Sequence, residues 1–359
     1  MGLKLLYITN GINGAGGLER VLSIKASYFA EYGYEVSILA LNEAHLEPFY
    51  TFSDKIQSYS ITVGGNPLQY LQQYRKGVQN VVNTIQPDII LVCDDGLKGF
   101  FLPTIIQTKA KWIYERHVSK LIEAKENDGL LKKLATKLKW YTMEKLGQTF
   151  DHFVVLTKGN KKEWTSLKNV KVIPNPLSFY PERSSSLDQK VVICVGKISY
   201  QKGQDLLVQA WERIHLQFPD WQLHLYGKED LSVLDTQNLS DNIHYFPPEK
   251  NIAQKYLESA IYVMSSRFEG FGMVLIEAMA CGIPCVAFDC DYGPGDIITH
   301  QEDGVLVEQQ NIKDLAEQIL HLIKHEEVRK EMGVKAYQNV QRYQIPHIAP
   351  QWINLFNKI

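Results

Sequence analysis

Short apolar runs alternate with longer amphipathic segments along this chain, and the alternation limits the folds that it can adopt. In the first half, the runs predicted as strands are 3–9, 35–41, 89–93, 111–115 and 152–156. Segments 17–32 and 67–85 lie between such runs and have the apolar spacing of helices. Strands that alternate with helices are typical of parallel sheets built from βαβ units, so the sequence predicts an α/β fold.

The pattern starts again after a change in composition near residue 175. Proline and serine are frequent there, which predicts a linker over 179–189. After it, the runs predicted as strands are 190–195, 222–226, 243–245, 261–264 and 285–287. We therefore predict two Rossmann-like domains, residues 1–178 and 190–345, that face each other across a cleft. A chain of 359 residues is long enough for two such cores.

Composition and charge exclude several classes of protein. The net charge of −2 argues against a general nucleic-acid-binding protein, which would be basic. The N-terminus has a short apolar run that reads as a strand, without the apolar core and cleavage site of a signal peptide. No run approaches the roughly 20 apolar residues of a membrane span. Five cysteines, an odd number without a disulfide-like framework, suit a reducing compartment, so we expect a cytoplasmic protein.

The segment 265–284 places two carboxylates, Glu269 and Glu277, eight positions apart. Between them, a turn flanked by Gly270 and Gly272 opens into a predicted helix, whose unpaired N–H groups and dipole favour a phosphate. Glu277 would lie about one turn into this helix, where it suits a vicinal diol such as a ribose. Glu269 would precede the turn, within reach of a group attached to the phosphate. Phosphate, diol and attached polar group together describe a nucleotide sugar.

A second glycine-rich segment, 11–17, follows the first predicted strand and precedes a helix. Glycine lets backbone amides approach a ligand closely, so Gly16 and Gly17 would help to cradle a phosphate. The spacing is not G-x-G-x-x-G, which argues against a nicotinamide or flavin cofactor. The alternative is a flexible turn between strand and helix. Arg20, in the first helical turn, is expected to be structural.

Four segments together resemble the GT4 family of retaining glycosyltransferases, which have the GT-B fold. Glu269 and Glu277, with seven residues between them, resemble the E-x7-E motif of that family. Segments 16–20, 115–117 and 195–203 resemble its N-terminal glycine loop, its site histidine and its phosphate-binding loop. The four segments lie in the family's order and cover nearly the whole chain.

This resemblance implies transfer of a hexosyl or N-acetylhexosaminyl group from a nucleotide sugar, with a UDP-sugar as the expected donor, to a hydroxyl of a growing glycan. It implies retention of configuration without a metal or another cofactor. The sequence shows no obvious base and no paired carboxylates for a double displacement, which fits front-side attack in which the leaving phosphate takes the acceptor proton. The setting would be bacterial surface-polysaccharide assembly, with a lipid-linked glycan as one form of the acceptor. The GT-B fold also implies that the C-terminal helix, 346–359, returns to the first domain; packing on its own domain is the alternative.

By the same resemblance, the catalytic candidates are His117, Lys202 and Glu269. Glu277 would bind the ribose, Glu269 the donor sugar and Lys202 the diphosphate. The residues expected to surround the phosphates and the sugar with backbone are Gly16, Gly17, Gly270, Phe271, Gly272, Met273 and Val274. His117 would hold the donor or the reacting hydroxyl; a histidine that is simply satisfied in the core or at the surface is the alternative.

Lys197 and Lys202 flank the loop after the first strand of the second domain. The diphosphate leaving group gains negative charge as the glycosidic bond breaks, and two cations beside it would stabilise that charge in the transition state. The family usually has arginine at the position of Lys197, and a lysine there lacks the bidentate fork. Solvated lysines of a polar loop are the alternative.

No metal site is expected. Asp289-Cys290-Asp291 reads D-x-D, a metal-binding motif in other glycosyltransferases, but the glycine-proline loop after it resembles a GT4 element that holds no metal. Cys281, Cys285 and Cys290 lack the spacing of zinc ligands and are expected to be buried thiols.

A basic amphipathic segment, 130–143, is predicted to be a helix. Its lysines are Lys132, Lys133, Lys137 and Lys139. Such a helix can lie on an anionic membrane surface or hold the pyrophosphate of a lipid-linked acceptor. The alternative is a surface helix whose apolar stripe packs on the core. A membrane contact would place the protein on the inner face of the cytoplasmic membrane.

Two other functions stay open on the sequence alone. One is another GT-B-like enzyme, a nucleotide-sugar epimerase or a glycosidic-bond phosphorylase. The other is a non-catalytic subunit that retains a nucleotide-sugar site, although the intact set Gly16, His117, Lys202, Glu269 and Glu277 argues against such decay. Turnover of the donor and analysis of the product separate these functions.

Overall fold

The computed structural model of the protein describes residues 2–43, 47–123 and 129–358. The chain divides into two compact units, Met1–Ser178 with Ile345–Ile359, and Phe179–Gln344. The first unit is therefore discontinuous in sequence, and the chain passes between the units twice. Of the predicted domain ends, Met1 and Ile359 lie outside the described residues.

Strands and helices alternate along the chain. The strands are β1 Lys4–Thr9, β2 Glu35–Leu41, β3 Gln57–Ile61, β4 Ile89–Cys93, β5 Lys111–Arg116, β6 His152–Val155, β7 Val170–Val172, β8 Val191–Val195, β9 Gln222–Tyr226, β10 Ile243–Phe246, β11 Ile261–Met264, β12 Cys285–Phe288 and β13 Gly304–Val307. The helices are α1 Gly17–Tyr32, α2 Pro67–Ile85, α3 Leu97–Phe100, α4 Leu102–Ile105, α5 Leu130–Gly147, α6 Lys158–Lys162, α7 Gln204–His215, α8 Ile252–Leu257, α9 Met273–Ala280, α10 Pro294–Ile297, α11 Ile312–Lys324, α12 Glu326–Asn339 and α13 Ile345–Phe356. Single turns of 3-10 helix lie at Lys120–Glu123 and Val340–Tyr343. Over the described ranges, no helix combines the length and apolarity needed to cross a membrane.

The first unit is built on a parallel sheet with the strand order β3-β2-β1-β4-β5-β6-β7. β1 pairs with both β2 and β4, so the order reverses between β1 and β4. The inner strands are continuous buried runs, as expected for a parallel sheet covered on both faces. The reversal leaves a crevice at the carboxyl ends of β1 and β4, which is where sheets of this type bind ligands.

Local sequence signals set the ends of the long helices in this unit. α2 begins at Pro67, and its N-cap Asn66 forms a reciprocal capping box with Gln69. α1 ends at Tyr32 and is capped by Gly33, which adopts the left-handed conformation with φ of 109°. These signals explain why the two helices have the bounds that the sequence predicted.

The helix α13 packs against α1 within the first unit. The ring of Phe356 lies 5.3 Å from that of Phe29 and 6.1 Å from that of Tyr34. Trp352 is buried, with its ring under the ammonium of Lys25 at 4.1 Å. The apolar side of α13 thus covers the outer side of α1, after the chain has passed through the whole second unit.

The second unit has a parallel sheet with the strand order β10-β9-β8-β11-β12-β13. Here the order reverses between β8 and β11, which creates a second switch point. The segment 179–189, predicted as a linker, packs on this unit: Ser185 donates through its N–H to Cys281 and through its hydroxyl to Ser259, and Leu187 is buried. The predicted α/β fold with two Rossmann-like domains is confirmed.

Candidate functional site

In the second unit, two loops meet at the switch point between β8 and β11. The loop 196–203 follows β8, and the loop 265–272 follows β11. Because the two strands are parallel neighbours, both loops leave the same edge of the sheet. These are the loops that the sequence predicts to bind the donor.

An ion pair joins the two loops. Lys202 Nζ lies 2.7 Å from Glu269 Oε1, and the hydroxyl of Ser266 donates to the same oxygen at 2.6 Å. The Glu269 side chain is 6% exposed, whereas that of Lys202 is 23% exposed. An ammonium has three N–H donors, so Lys202 can bind Glu269 and still donate to a phosphate oxygen. The structure therefore brings two of the three predicted catalytic residues together.

Close backbone packing fixes the loop that carries Lys202. Gly203 has φ of +64°, and a Cβ there would lie 2.1 Å from the carbonyl oxygen of Ser265. Only glycine permits this approach. The Ser265 hydroxyl donates to the Lys202 carbonyl at 3.1 Å, and buried Gln204 donates to the Gly196 carbonyl at 3.2 Å. The position of the ammonium is therefore set by contacts on both sides of the loop.

A second link between these loops, through Arg267, was not predicted. Its guanidinium forms two hydrogen bonds, of 2.9 and 2.7 Å, with the Asp205 carboxylate at the start of α7. It also lies 4.2 Å from the centre of the Tyr200 ring. The hydrogen bonds to Asp205 raise the pKa of Arg267. Bidentate pairing fixes orientation as well as distance, so Arg267 holds the loop that precedes Glu269 against α7.

Helix α9 carries the second carboxylate of the E-x7-E motif. It begins at Met273, directly after Gly272, whose φ of +97° favours glycine. A Cβ at Gly293 would lie 2.0 Å from the carbonyl oxygen of Phe271, so these backbones approach closely. Glu277 lies in the second turn of α9 and is buried. The predicted turn, helix start and carboxylate are all present in the structure.

Three other predicted donor residues of this unit are more exposed than Glu269 and Glu277: Gly270, Val274 and Lys197. Gly270 and Val274 are partly exposed beside the start of α9. Lys197 is exposed, and its charge acts on Asp230, whose pKa is lowered first by hydrogen bonds from Ser232 and then by this lysine. Lys197 and Lys202 therefore have different environments, although they lie on one loop.

The D-x-D sequence lies next to the Glu269 loop but presents its carboxylates to solvent. Asp289 and Asp291 are exposed, and the Asp291 carbonyl accepts from the Glu269 N–H at 2.9 Å. Over the described ranges, neither aspartate belongs to a group of potential metal ligands. Cys281, Cys285 and Cys290 are buried free thiols, as predicted.

In the first unit, the glycine-rich loop follows β1 at the other switch point. A Cβ at Gly14 or at Gly16 would lie 2.5 Å from a carboxylate oxygen of Glu19, whereas the space at Gly17 is open. The Glu19 carboxylate thus stands against the loop in the first turn of α1, where the helix dipole favours it. A phosphate that approached Gly14 and Gly16 from this side would have to displace it.

His117 lies directly after β5 and is part of a buried cluster that the sequence did not predict. Its Nε2 lies 3.4 Å from Glu115 Oε2, and its N–H donates to Asp95 at 3.2 Å. The same Glu115 oxygen contacts the ammonium of Lys25 from α1. The side chains of Lys25 and Glu115 are both 2% exposed. His117 belongs to the first unit, and is described apart from the Lys202–Glu269 pair.

The charge of Glu115 is fixed by its neighbours. Burial on its own raises the pKa of Glu115, but the attraction of Lys25 and the contact with His117 outweigh it and lower the pKa to about 2. Burial raises the pKa of Cys93 and of Tyr7, which face the same carboxylate. At neutral pH, Glu115 is therefore ionised, whereas the thiol and the phenol are neutral.

Cys93, Glu115 and His117 also offer metal-ligand atoms within 4.8 Å of one another, in the part of the chain that the structure describes. The ammonium of Lys25 contacts the same carboxylate. Because this ammonium is positively charged, it would repel a metal cation bound by the same carboxylate. The arrangement therefore favours an ion pair over a metal site.

Helix α5 exposes most of its apolar residues. Leu131, Leu134, Leu138 and Tyr141 recur at the three- and four-residue spacing of one helix side, and are between 54% and 84% exposed. The lysines beside them that are exposed are Lys132, Lys133 and Lys137, with Lys139 partly exposed. Burial begins at Met143. Trp140 also packs against the core of the first unit. The interpretation that the apolar stripe packs on the core is therefore right for Trp140 and Met143 and wrong for the exposed Leu131, Leu134, Leu138 and Tyr141.

Comparison with known proteins gives two kinds of similarity. The sequence model of the family Glycosyl transferases group 1 matches residues 180–339. The amylovoran biosynthesis glycosyltransferase AmsD of Erwinia amylovora is 30% identical to this chain over 372 residues, which span 99% of each protein.

Solved structures resemble the chain over its whole length. A mutant of S. aureus TarM, in complex with Fondaparinux, alpha-GlcNAc-glycerol and UDP, has a TM-score of 0.81 at 16% identity and covers 99% of this chain and 100% of that one. Alr3699/HepE of Anabaena, in complex with UDP-glucose, has a TM-score of 0.76 at 17% identity with the same coverage. At this level of identity the similarity shows a shared fold.

Proposed function

Because the chain belongs to the glycosyl transferases group 1 family, we propose that it transfers a hexosyl or N-acetylhexosaminyl group from a UDP-sugar to a hydroxyl of a growing glycan. Family and fold agree with the GT4 and GT-B prediction, which is confirmed, and the chain is accordingly a hexosyltransferase. The donor, the retention of configuration and the independence of metal or other cofactors are our proposals.

The Lys202–Glu269 pair at the β8–β11 switch point is the observation that carries this function. A partly exposed ammonium next to a buried carboxylate suits a ligand with a phosphate on one side and a sugar on the other. Glu277 lies on α9, which begins directly after the loop that carries Glu269, and there it suits the ribose. The UDP and UDP-glucose in the neighbouring crystal structures support a uridine nucleotide as the donor.

The proposed reaction needs one displacement at the anomeric carbon. The bond from this carbon to the phosphate oxygen breaks, and its electron pair leaves with UDP. The acceptor oxygen forms the new bond from the same face, and its proton passes to the leaving phosphate oxygen. Lys202 would stabilise the charge that grows on the diphosphate, and Glu269 would hold the sugar hydroxyls during the displacement.

The acceptor is proposed to belong to surface-polysaccharide assembly, in a lipid-linked form. The relationship to AmsD supports the pathway class. Helix α5 supports the lipid: an exposed row of leucines beside lysines suits the interface of an anionic membrane. This contact would place the enzyme on the cytoplasmic face of that membrane.

Slow hydrolysis of the donor tests the proposal without knowledge of the acceptor. Purified protein is incubated with a panel of UDP- and GDP-sugars, with and without EDTA. We expect one UDP-sugar to be hydrolysed, EDTA to leave the rate unchanged, and Glu277→Ala to abolish it. Glu327→Ala, an exposed glutamate on α12 of the same unit, is the matched control and should retain the wild-type rate.

The possible outcomes separate the parts of the proposal. Loss of activity in EDTA would contradict metal independence and direct attention to Asp289 and Asp291. Hydrolysis of a GDP-sugar alone would contradict the assigned donor. An inverted anomeric configuration of the transfer product by NMR would contradict front-side attack. Absence of both UDP binding and hydrolysis would contradict the proposed UDP-sugar transfer.

A further inference from the structure

A lysine of the first unit is buried where a lysine is normally solvent-exposed. Lys25 lies on α1 with 2% of its side chain exposed. Its ammonium contacts Glu115 Oε2, and the rings of Trp352 and Tyr7 lie 4.1 and 5.4 Å from it. Such burial requires a paired charge, because an isolated ammonium would lose its hydration without compensation. The pair is thus closed off by aromatic rings of β1 and α13.

The paired carboxylate has a second neighbour, the ring of His117. Nε2 of His117 lies 3.4 Å from the Glu115 oxygen that Lys25 contacts. This nitrogen is buried and has no hydrogen-bond partner among the described residues, so Glu115 Oε2 is the acceptor to which a small rotation of the ring would bring it. The His117 side chain is 6% exposed. The charged and titratable groups around this carboxylate are Lys25 on α1, His117 after β5, Cys93 on β4 and Tyr7 on β1.

We propose that Lys25 and Glu115 are positioning residues for His117. The ion pair presents a fixed carboxylate to Nε2, so the ring carries its proton on Nε2 and leaves Nδ1 as a hydrogen-bond acceptor for a substrate hydroxyl. The orientation of the ring follows from the same contact, and the backbone is held separately by Asp95 at the His117 N–H. A carboxylate behind a histidine selects its tautomer in the same way at other protein sites.

The energetics of buried ion pairs favour this role over a purely structural one. Two buried charges lose hydration, and well-packed apolar residues commonly replace such pairs without loss of stability. A contact that merely held α1 against β5 would therefore not need charges. A carboxylate that must accept from an imidazole does need to be ionised, and a buried carboxylate needs a cation to stay so.

The tautomer of His117 in the wild-type protein is the direct test. The full-length protein is labelled with ¹⁵N-histidine, and the His117 ring is assigned by its absence from the spectrum of His117→Gln. We expect the two-bond and three-bond proton–nitrogen pattern of the Nε2–H tautomer. An Nδ1–H tautomer, or a mixture of both, would overturn the proposal. This readout does not use activity, so it is independent of whether the proposed function is correct.

A mutant cycle that compares kcat values provides the second test, and it rests on the proposed function. Lys25→Met combined with Glu115→Gln removes both charges without leaving one unpaired. We expect kcat to fall by about 10- to 100-fold, as for loss of a residue that orients a site group. The loss should not add to that of His117→Ala, because both changes remove one function. Fully additive losses, or an unchanged kcat, would contradict the role.

A control double variant at another ion pair of the same unit distinguishes loss of His117 positioning from loss of protein stability. Lys120→Met with Glu144→Gln removes another ion pair, of 2.6 Å, which shares no residue with the cluster of Lys25, Glu115 and His117. We expect this control to keep the wild-type kcat and the Nε2–H tautomer, whatever its effect on the melting temperature. Equal losses of kcat in the two double variants would show a structural effect and would count against the proposal.

Discussion

Each unit contains a lysine–glutamate pair beside the carboxyl edge of its sheet, and the two pairs differ in exposure. Lys202 is 23% exposed, so a ligand can reach its ammonium. Lys25 is 2% exposed and is covered by Trp352, so it acts on protein groups alone. The two pairs have the same residue types, and of the two lysines Lys202 is the one that a ligand can reach.

Replacement of Lys202, the more exposed of these two lysines, is expected to lower kcat. Lys202→Met should lower kcat for donor hydrolysis by about 100-fold, because the lost charge acts on the leaving diphosphate in the transition state. Lys197→Met should cost about tenfold or less, since this lysine is exposed and its charge also acts on Asp230. Steady-state kinetics with the preferred UDP-sugar check both values. Equal losses in the two variants would show that Lys197 is as important as Lys202.

The residues of the second unit's site could be predicted because the motif is local. Glu269, Gly272 and Glu277 lie within nine positions, and a glycine turn followed by a helix is readable from the sequence. The partner of Arg267, Asp205, lies 62 positions away, and a single sequence carries no signal for that pairing. Lys25 did carry a signal, since it interrupts the buried row of Val21 and Phe29 on α1.

Among the elements, the central strands were easier to predict than the edges. The bounds of β2, β4, β9 and β11 are those expected from the sequence. The strands β3, β7 and β13 were missed, and each lies at the edge of its sheet. β3 reads Gln-Ser-Tyr-Ser-Ile and is largely open to solvent, so it lacks the apolar run of a central strand. Edge strands form because a neighbouring strand offers hydrogen bonds, which the sequence of the edge does not reveal.

Helix α5 is the element whose exposed surface calls for a partner. Its leucines before Met143 project into solvent on a helix that also carries five lysines. Exposed apolar rows of this kind are uncommon in proteins without an interaction surface. An anionic bilayer satisfies both features, because leucines enter the interface while lysines meet lipid phosphates.

Vesicle binding tests this partner. The wild-type protein should sediment with vesicles that contain anionic phospholipid and remain in solution with neutral ones. Leu131→Ser with Leu134→Ser should weaken the binding by about 100-fold or more, since each buried leucine contributes about 1.5 kcal/mol or more and about 1.4 kcal/mol corresponds to a tenfold change. Leu216→Ser, an exposed leucine of the second unit, is the control and should bind as the wild type does. Equal binding to neutral and anionic vesicles would contradict the proposed role of the α5 lysines in contacting anionic lipid.

At the scale of the whole molecule, the second unit is an insertion within the first. The chain leaves the first unit after Ser178 and re-enters it at Ile345. The returning helix α13 contributes buried residues, including Trp352 and Phe356, to the first unit. The stability of the first unit therefore depends on residues that are distant in sequence.

Two buried tryptophans test whether the units unfold separately. Trp352→Ala should destabilise the first unit by about 3 to 5 kcal/mol, because it removes a large side chain from its core. Trp211→Ala should have a similar effect on the second unit. In hydrogen-exchange mass spectrometry, we expect faster exchange in β1 and β5 for the first variant and in β8 and β11 for the second. Faster exchange in both units for either variant would show a single cooperative structure.

The position of α13 also has a consequence for the nascent chain. The ribosome makes all of Phe179–Gln344 before it makes the helix that covers Lys25 and Phe29. The second unit can fold as soon as it emerges, whereas the earlier-made first unit must wait for its missing helix. During that interval, the outer side of α1 is uncovered, and water can reach the lysine that is later sealed. Chaperones that hold apolar surface would meet this protein at that stage of translation.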